Sequence, residues 1–523
     1  MSPQVTSYVY PGSGTEEDPY LVDWLPGDAK NPYSIATSMK WWITLIMSLG
    51  TLAVSISTSS LSSALPQLQS DFHVSAELGT ASVSLFVLGF AIGPMVFAPL
   101  AELYGRQIVY AATFFLCTLF GGASIASPNI QTLLVLRFFA GAFGSSAIVN
   151  SAGVVSDIFI TEERGLAVMV YTSAPFLGPT LGPVVSGFLA QAGGWKWVDG
   201  LTVIFTGVMF FLGLVFVPET YTPYLLIRRA QKLSKSTGKV YVSKLEKGKP
   251  KKTASNVFYN GIARPWVILL YEPIVLALSI YSAIVYGILF LIFTAFPIVF
   301  QGTRHWSQGI SGLAYIGIVV GQFLAMFFYI FLETAYRKRI AEDPSKATPE
   351  ARLEPAMIGG VMLPIGLFIF AWTSFVRIHW IVSIIFSSFF GIGQVLLFIS
   401  LINYVIDAYL VFAASALAGN AILRALFGAA FPLFTESLYK NLGVQWGSSV
   451  PAFLSLGCAP IPFLFAWGLG KWLRDRSKFA TEARRVMDHI LEQKSEAGND
   501  DAEKLEARIM AGSLSGDHEE ASI

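Results

Sequence analysis

Apolar residues run along this chain in long blocks rather than in the alternation of a half-buried strand, and the blocks break where charge, proline or glycine gathers. Twelve blocks of about 20 residues are long enough, wound as helices, to cross a hydrocarbon layer of about 30 Å. The pattern predicts spans over 42–64, 79–101, 108–126, 132–155, 166–190 and 200–218 in the first half, and over 272–300, 311–330, 356–375, 380–402, 411–438 and 447–470 in the second. The short alternating segments of a membrane β-barrel are not present. The expected fold is therefore an all-α membrane protein of twelve transmembrane helices in two sets of six.

Charge divides the chain further. Residues 219–271 carry eleven Lys or Arg against Glu219 and Glu246, and they separate the two sets of spans. A basic segment of this kind favours the cytoplasmic side. With that segment inside, both termini fall inside, and 29 of the 35 basic residues lie on the inner side. The outer loops keep only Lys196, Arg304, Arg377 and Lys440, and Arg137 and Arg424 fall within spans. The domain reading is an amino tail over 1–41, a first lobe over 42–218, a linker over 219–271, a second lobe over 272–470 and a carboxyl tail over 471–523. The amino tail holds Glu16, Glu17, Asp18, Asp23 and Asp28 and has no basic region leading into an apolar core, so a cleaved secretory signal is not expected. The mixed Glu and Lys of 480–508 predict a short surface helix followed by disorder. Lys247, Lys249, Lys251 and Lys252 are placed either against anionic lipid or in a solvated loop.

Composition narrows the function. With 54% hydrophobic and 13% charged residues the chain is unlike an ordinary soluble domain, and a net charge of +1 argues against nucleic acid as a partner. Cys117 and Cys458 both lie in apolar stretches, which implies neither a disulfide nor a metal site. No compact cluster of carboxylate, histidine and nucleophile occurs, and Gly391-Ile-Gly393 lies inside an apolar block and not in a dinucleotide-binding turn. The chain is expected to be no enzyme and to need no cofactor and no metal.

Several motifs then stand out. Gly89-Phe-Ala-Ile-Gly93-Pro94 leads into Ala98-Pro99-Leu100-Ala101-Glu102-Leu103-Tyr104-Gly105-Arg106 between spans two and three. Leu136-Arg137-Phe138-Phe139-Ala140-Gly141 lies in span four, and Gly178-Pro179-Thr-Leu-Gly182-Pro183 with Gly187 lies in span five. Pro218-Glu219-Thr220-Tyr221 follows span six, and Phe431-Pro432-Leu433-Phe434 with Gly443-Val444-Gln445-Trp446 marks span eleven and its end. Over about residues 20–480 the chain resembles the major facilitator superfamily, in particular its fungal twelve-span drug and proton antiporters, which include multidrug, polyamine and toxin exporters. The resemblance implies two pseudosymmetric six-helix lobes that alternate access to a central site. It also implies that Gly178, Pro179, Gly182, Pro183 and Gly187 form the bend that keeps an antiporter from leaking.

The residues themselves suggest roles beside that resemblance. Gly178 and Gly182 are four apart, which opens one helical face to close backbone approach, and the neighbouring prolines bend the helix. Glu102 and Arg106 are also four apart, the spacing of an ion pair on one helical face, and read either as a state-dependent latch or as a solvated pair. Asp157, Glu162 and Arg164 are weaker candidates for the same latch. Arg137, about six residues into span four, is costly unless paired or hydrated, and either snorkels outward or faces the cavity, bonded to polar groups of span one. Arg424 has the same standing, with bundle stabilisation or a pair with Asp407 as alternatives. Proton coupling calls for a carboxylate that can gain and lose a proton, yet on these boundaries none lies centrally in a span. Ser59 on span one, Tyr281, Tyr286, Phe293 and Phe296 on span seven, and Gln322, Gln394 and Asn403 are candidates to line the cavity, where each aromatic could equally be simple packing.

The leading expectation is a plasma-membrane exporter, functional as a monomer, that exchanges protons for small hydrophobic or amphipathic compounds. A facilitator or proton-coupled importer of the same fold, a polyamine exporter and a non-transporting membrane sensor are the alternatives.

Overall fold

The computed structural model describes residues 8–25, 27–160, 164–246, 254–343 and 348–485. Glu162, Lys247, Lys249, Lys251, Lys252 and the carboxyl tail beyond residue 485 lie outside these residues, as does the side chain of Arg164.

The first half is built from α1 (Thr37–Ser57), α2 (Leu65–Phe72), α3 (Ala76–Tyr104), α4 (Arg106–Ile125), α5 (Ile130–Gly144), α6 (Ser146–Ile158), α7 (Arg164–Gly193) and α8 (Trp195–Phe216). The linker contributes α9 (Thr222–Thr237) and α10 (Ala254–Tyr271). The second half holds α11 (Pro273–Phe296), α12 (Gln308–Leu313), α13 (Ile316–Glu342), α14 (Glu354–Thr373), α15 (Trp380–Tyr409) and α16 (Ala413–Cys458).

The long helices are predominantly apolar, and their exposed and buried faces differ in kind. On α8, Ile204, Val208, Phe211 and Val215 form an exposed stripe at helical spacing, while Asp199, Thr202, Thr206, Met209 and Gly213 turn inward. The inward face carries the small and polar residues, because helices in lipid associate through close packing and hydrogen bonds. α11 belongs to the second lobe and is buried along most of its length.

Among the described residues, eleven helical stretches are long and apolar enough to cross a membrane. The last of them, Ala413–Arg476, is 64 residues long. As one straight helix it would run about 96 Å, far more than a hydrocarbon core of about 30 Å. Gly443 breaks it, with φ 73° and ψ 174°, a conformation open to glycine.

Two features of the amino tail and linker go beyond the tail and linker described from sequence. The amino tail supplies strand β1 (Tyr20–Val22), which pairs in parallel with β2 (Tyr241–Ser243) of the linker. The pairing fixes the amino tail and linker on one side of the bundle. A small apolar cluster of Tyr10, Val22, Leu226, Ala230 and Leu233 backs it, and Asp28 pairs with Arg229 at 2.6 Å. Burial pushes the Asp28 carboxyl up, but the hydrogen bond and charge of Arg229 and the N–H of Lys30 outweigh it and hold the group below its ordinary range. Further along the linker, α10 is an apolar helix that bridges the lobes, with Gly261 against Pro99 of α3 and the Pro265 carbonyl against Gly419 of α16.

Candidate functional site

The first lobe organises its polar groups around Arg137. Asn129 caps α5, accepting from Thr132 N–H at 2.9 Å, and places Arg137 two turns into the helix. Arg137 is 2% exposed, and each of its three guanidinium nitrogens donates a hydrogen bond. Nη1 donates to Asp199 Oδ1 at 3.1 Å, Nη2 to the Ser57 carbonyl at 3.0 Å and Nε to the Ser82 carbonyl at 3.3 Å, and the Phe86 ring lies 4.6 Å from its centre. The side chain therefore does not snorkel outward. The Ser57 carbonyl sits where α1 gives way to the 3₁₀ turn of Ser60–Ala64, so its bond to Arg137 ties the guanidinium to the break in span one.

Asp199, 1% exposed, also accepts from Ser124 Oγ at 3.0 Å. It is the buried carboxylate that the sequence reading missed, because span six was expected to begin at residue 200 and the helix begins at Trp195. Trp195 Nε1 donates to Asp71 Oδ2 at 2.9 Å, which pins the start of α8 one turn above Asp199. An arginine as deep as Arg137 signals that such an acid must exist.

α7 carries Pro175, Pro179 and Pro183 at intervals of four, all on one face. Each lacks an N–H, so the carbonyls one turn earlier lose their helical donors. Ser59 Oγ donates to one of these, the Pro179 carbonyl, at 2.5 Å, and Ser63 Oγ donates to the Pro183 carbonyl at 3.2 Å. Ser59 was a cavity candidate, and its hydroxyl serves this helix. The glycines of the same motif divide between two neighbours. A Cβ on Gly178 would lie 2.3 Å from Ser55 Cβ, and one on Gly182 would lie 2.3 Å from Ser59 Oγ, so both seat α7 on α1. Gly187 instead meets the opposite lobe, where a Cβ would lie 2.7 Å from the Gln308 carbonyl. Gln67 reinforces that closure with Nε2 3.0 Å from Gln308 Oε1.

At the end of the first lobe near the strand pair, α3 stops at Tyr104 and Gly105 turns the chain with φ 94°. Glu102 and Arg106 therefore lie on two different helices, and the single helical face expected to carry them is broken. The acid bonded to Arg106 Nε is Asp157, with Oδ2 at 3.2 Å, although the charge of Glu102 also acts on that guanidinium. Glu219 caps α4, accepting from the N–H groups of Arg106 at 2.9 Å and Gln107 at 3.2 Å. Thr220 Oγ1 donates to Asp157 Oδ2 at 3.3 Å, and Tyr221 stacks its ring 4.8 Å from Arg106. Two motifs that are far apart in sequence, together with Asp157 of α6, thus meet in one network.

The second lobe has a counterpart. Arg352 pairs with Glu333 and with Asp407, each at 2.9 Å. Asp407 is thereby engaged at the helix end, away from Arg424. The guanidinium of Arg424 lies 5.3 Å from the Tyr286 ring and 5.2 Å from the Phe398 ring, and its Nε is buried with no hydrogen-bond partner among the described residues. Phe398 stacks on Phe176 of the first lobe at 5.4 Å, which places this corner at the interface between lobes.

The remaining candidates are dispersed. Gln322 Nε2 donates to Gln394 Oε1 at 3.2 Å and reaches Thr180 Oγ1 at 3.0 Å and the Phe176 carbonyl at 3.2 Å, so this pair fastens the lobes together at α7. Asn403 donates to Tyr329 Oη at 2.8 Å. Tyr281 is buried beside Gly360 inside the second lobe. Phe293 and Phe296 are buried against Tyr315, with Phe296 also stacked on Phe370 at 4.9 Å. These three aromatics are lobe core, and of the span-seven set Tyr286 alone is placed beside Arg424. Among the described residues, no group of three or more His, Cys, Asp or Glu is arranged to hold a metal ion.

Comparison with known proteins adds a frame for this geometry. The sequence pattern of the Major Facilitator Superfamily matches residues 47–432. An MFS-type efflux pump of Trichophyton rubrum is 50% identical over 507 residues, covering 97% of this chain and 85% of its own length. A major facilitator superfamily multidrug transporter of Aspergillus fumigatus is 47% identical, covering 98% of this chain and 84% of its own. An efflux pump of Gibberella moniliformis is 46% identical, covering 97% and 86%. Among solved structures, the xylose transporter XylE of E. coli in a partially occluded inward-open form matches with a TM-score of 0.59 at 20% identity, over 83% of this chain and 98% of that one. At that identity the likeness is one of fold.

Proposed function

Because the chain belongs to the Major Facilitator Superfamily, whose members are membrane transporters and not enzymes, we propose that it exports small hydrophobic or amphipathic compounds in exchange for protons by alternating access. The observation that carries this reading is that relatives sharing nearly the whole chain are themselves named efflux pumps or multidrug transporters. The geometry is compatible with it: two lobes in contact through glycine faces and a few polar bonds, with buried charge inside each.

In this reading the helix broken at Gly443 supplies the last two of twelve spans. Both termini and the linker face the cytoplasm of a plasma membrane, and a monomer is the working unit. The bond between β1 and β2 supports a common side for the amino tail and linker, and the excess of basic residues there supports the inside. The Arg106–Asp157 and Arg352 networks act as latches at the inner end, which must loosen when that end opens. The fifth-span glycines and prolines hold the outer end closed through Gly187.

Asp199 is the group suited to carry the proton. It is a buried acid whose charged form is held by Arg137 and Ser124, and protonation would release Arg137 to act on the break in span one at Ser57. Arg137, Glu102, Arg106, Asp157, Asp407 and Arg424 are then coupling or gating groups, and membrane lipid is the solvent.

Purified protein in proteoliposomes, offered a panel of fluorescent hydrophobic dyes with and without an imposed pH gradient, tests the proposal. Gradient-dependent dye movement supports it. Dye movement that is indifferent to the gradient leaves a facilitator, and no movement of any dye contradicts export.

A further inference from the structure

Arg424 lies near the middle of its span, about twelve residues into α16, where a guanidinium is retained only when something compensates it. Its counterpart Arg137 has an acid and two carbonyls. Arg424 has two aromatic rings, Tyr286 and Phe398, and a buried Nε without a hydrogen bond among the described residues. The cation–π contacts offset only part of the desolvation of a guanidinium, and they leave its hydrogen-bonding edge unused. The nearest acid raised from sequence, Asp407, is bonded to Arg352. Tyr171 of the first lobe, also close enough for its charge state to act on Arg424, already donates to the Ile148 carbonyl.

The side chain is not sealed. Arg424 and Tyr286 keep intermediate exposure, whereas Phe398 and Phe176 beside them are buried. The corner therefore has an aromatic wall from both lobes and a partly buried cation whose Nε has no hydrogen-bond partner among the described residues.

We propose that Arg424 is the anchor for a negatively charged head group of the transported compound, and that the site takes aromatic carboxylates, with the ring of the ligand against Tyr286 and Phe398. Arginine suits this task because its planar fork can grip a carboxylate through two parallel N–H bonds while its face remains stacked on an aromatic ring. A carboxylate there would complete in the loaded protein the compensation that Asp199 gives Arg137. The inference rests on the export reading and names the solute class within it.

Binding of 1-naphthoate and of its neutral analogue 1-naphthamide to the full-length purified protein in detergent at neutral pH tests the assignment. We expect the carboxylate to bind at least tenfold more tightly than the amide in the wild type. Arg424→Gln should abolish that preference, and Arg424→Lys should keep part of it. Equal affinities in the wild type, no binding of either compound, or a preference that survives Arg424→Gln overturns the proposal. The wild-type comparison stands even if a variant fails to fold. Competitive loss of naphthoate binding on adding phosphatidylglycerol would assign the site to a lipid phosphate instead and also overturn it. A carboxylate preference without gradient-driven dye flux would leave the site standing and remove export, while dye flux without a preference would do the reverse.

Discussion

Two arginines lie within the spans, one in each lobe, and their surroundings are opposite. Arg137 is closed in by Asp199, two backbone carbonyls and a phenyl ring. Arg424 faces two rings and retains an unpaired buried nitrogen among the described residues. A protein can tolerate a buried guanidinium by supplying its partner or by leaving the place for one that arrives. The first lobe takes the former course, and its charge network is wired into helix breaks. The second takes the latter, next to the surface where the lobes meet.

The sharpest way to break this contrast is to remove the partner that exists. Asp199→Ala leaves the Arg137 charge uncompensated and should lower unfolding stability by ~3–5 kcal/mol. A thermal melt in detergent checks it, and the double variant Arg137→Met with Asp199→Leu should recover most of the loss. Next, Gly182→Val drives a side chain into Ser59 and the Ile56 carbonyl, with an expected cost of ~1–3 kcal/mol and impaired coupled transport at matched protein level. Normal coupled flux would detach the fifth-span glycines from the mechanism. Ser59→Ala strips the donor from the Pro179 carbonyl and should cost about 1 kcal/mol in the same melt.

Arg424→Met carries the opposite expectation. Removing a charge with no protein partner should leave the melting temperature unchanged or raise it. A loss as large as that of Asp199→Ala would mean that Arg424 is already satisfied.

The smallest effect lies outside the membrane. Because the Asp28 carboxyl is held below its ordinary range, its pairing with Arg229 is intact at neutral pH and is lost only as pH falls through that lowered value. Protease access to residues 8–36 should therefore stay constant across neutral and mildly acidic pH and rise only under strong acid. A rise near neutrality would remove Asp28 from the clasp.

Much of this architecture is legible in the sequence because lipid imposes a simple rule on helix length. The apolar blocks coincide with helical stretches long enough to cross a membrane, Gly443 marks the break inside the longest of them, and Arg137 stands out by its depth. What the sequence hides are the partners. Asp199 falls one residue before the expected start of its span, where an acid looks like part of a loop. Glu102 and Arg106 have the spacing of a helical pair, but Gly105 intervenes, and it takes the fold to bring Asp157 from two helices away. Spacing also cannot separate Tyr286, which meets Arg424, from Tyr281, Phe293 and Phe296 on the same helix, which are packed into their own lobe.

The central claim is that Asp199 exchanges the proton that drives solute movement. The most direct measurement records the internal pH of proteoliposomes while a transported dye moves down an imposed dye gradient, in the wild type and in Asp199→Asn. The account predicts that dye movement carries protons the opposite way in the wild type, and that Asp199→Asn exchanges dye for dye without moving protons. Proton movement of wild-type size in Asp199→Asn would contradict it.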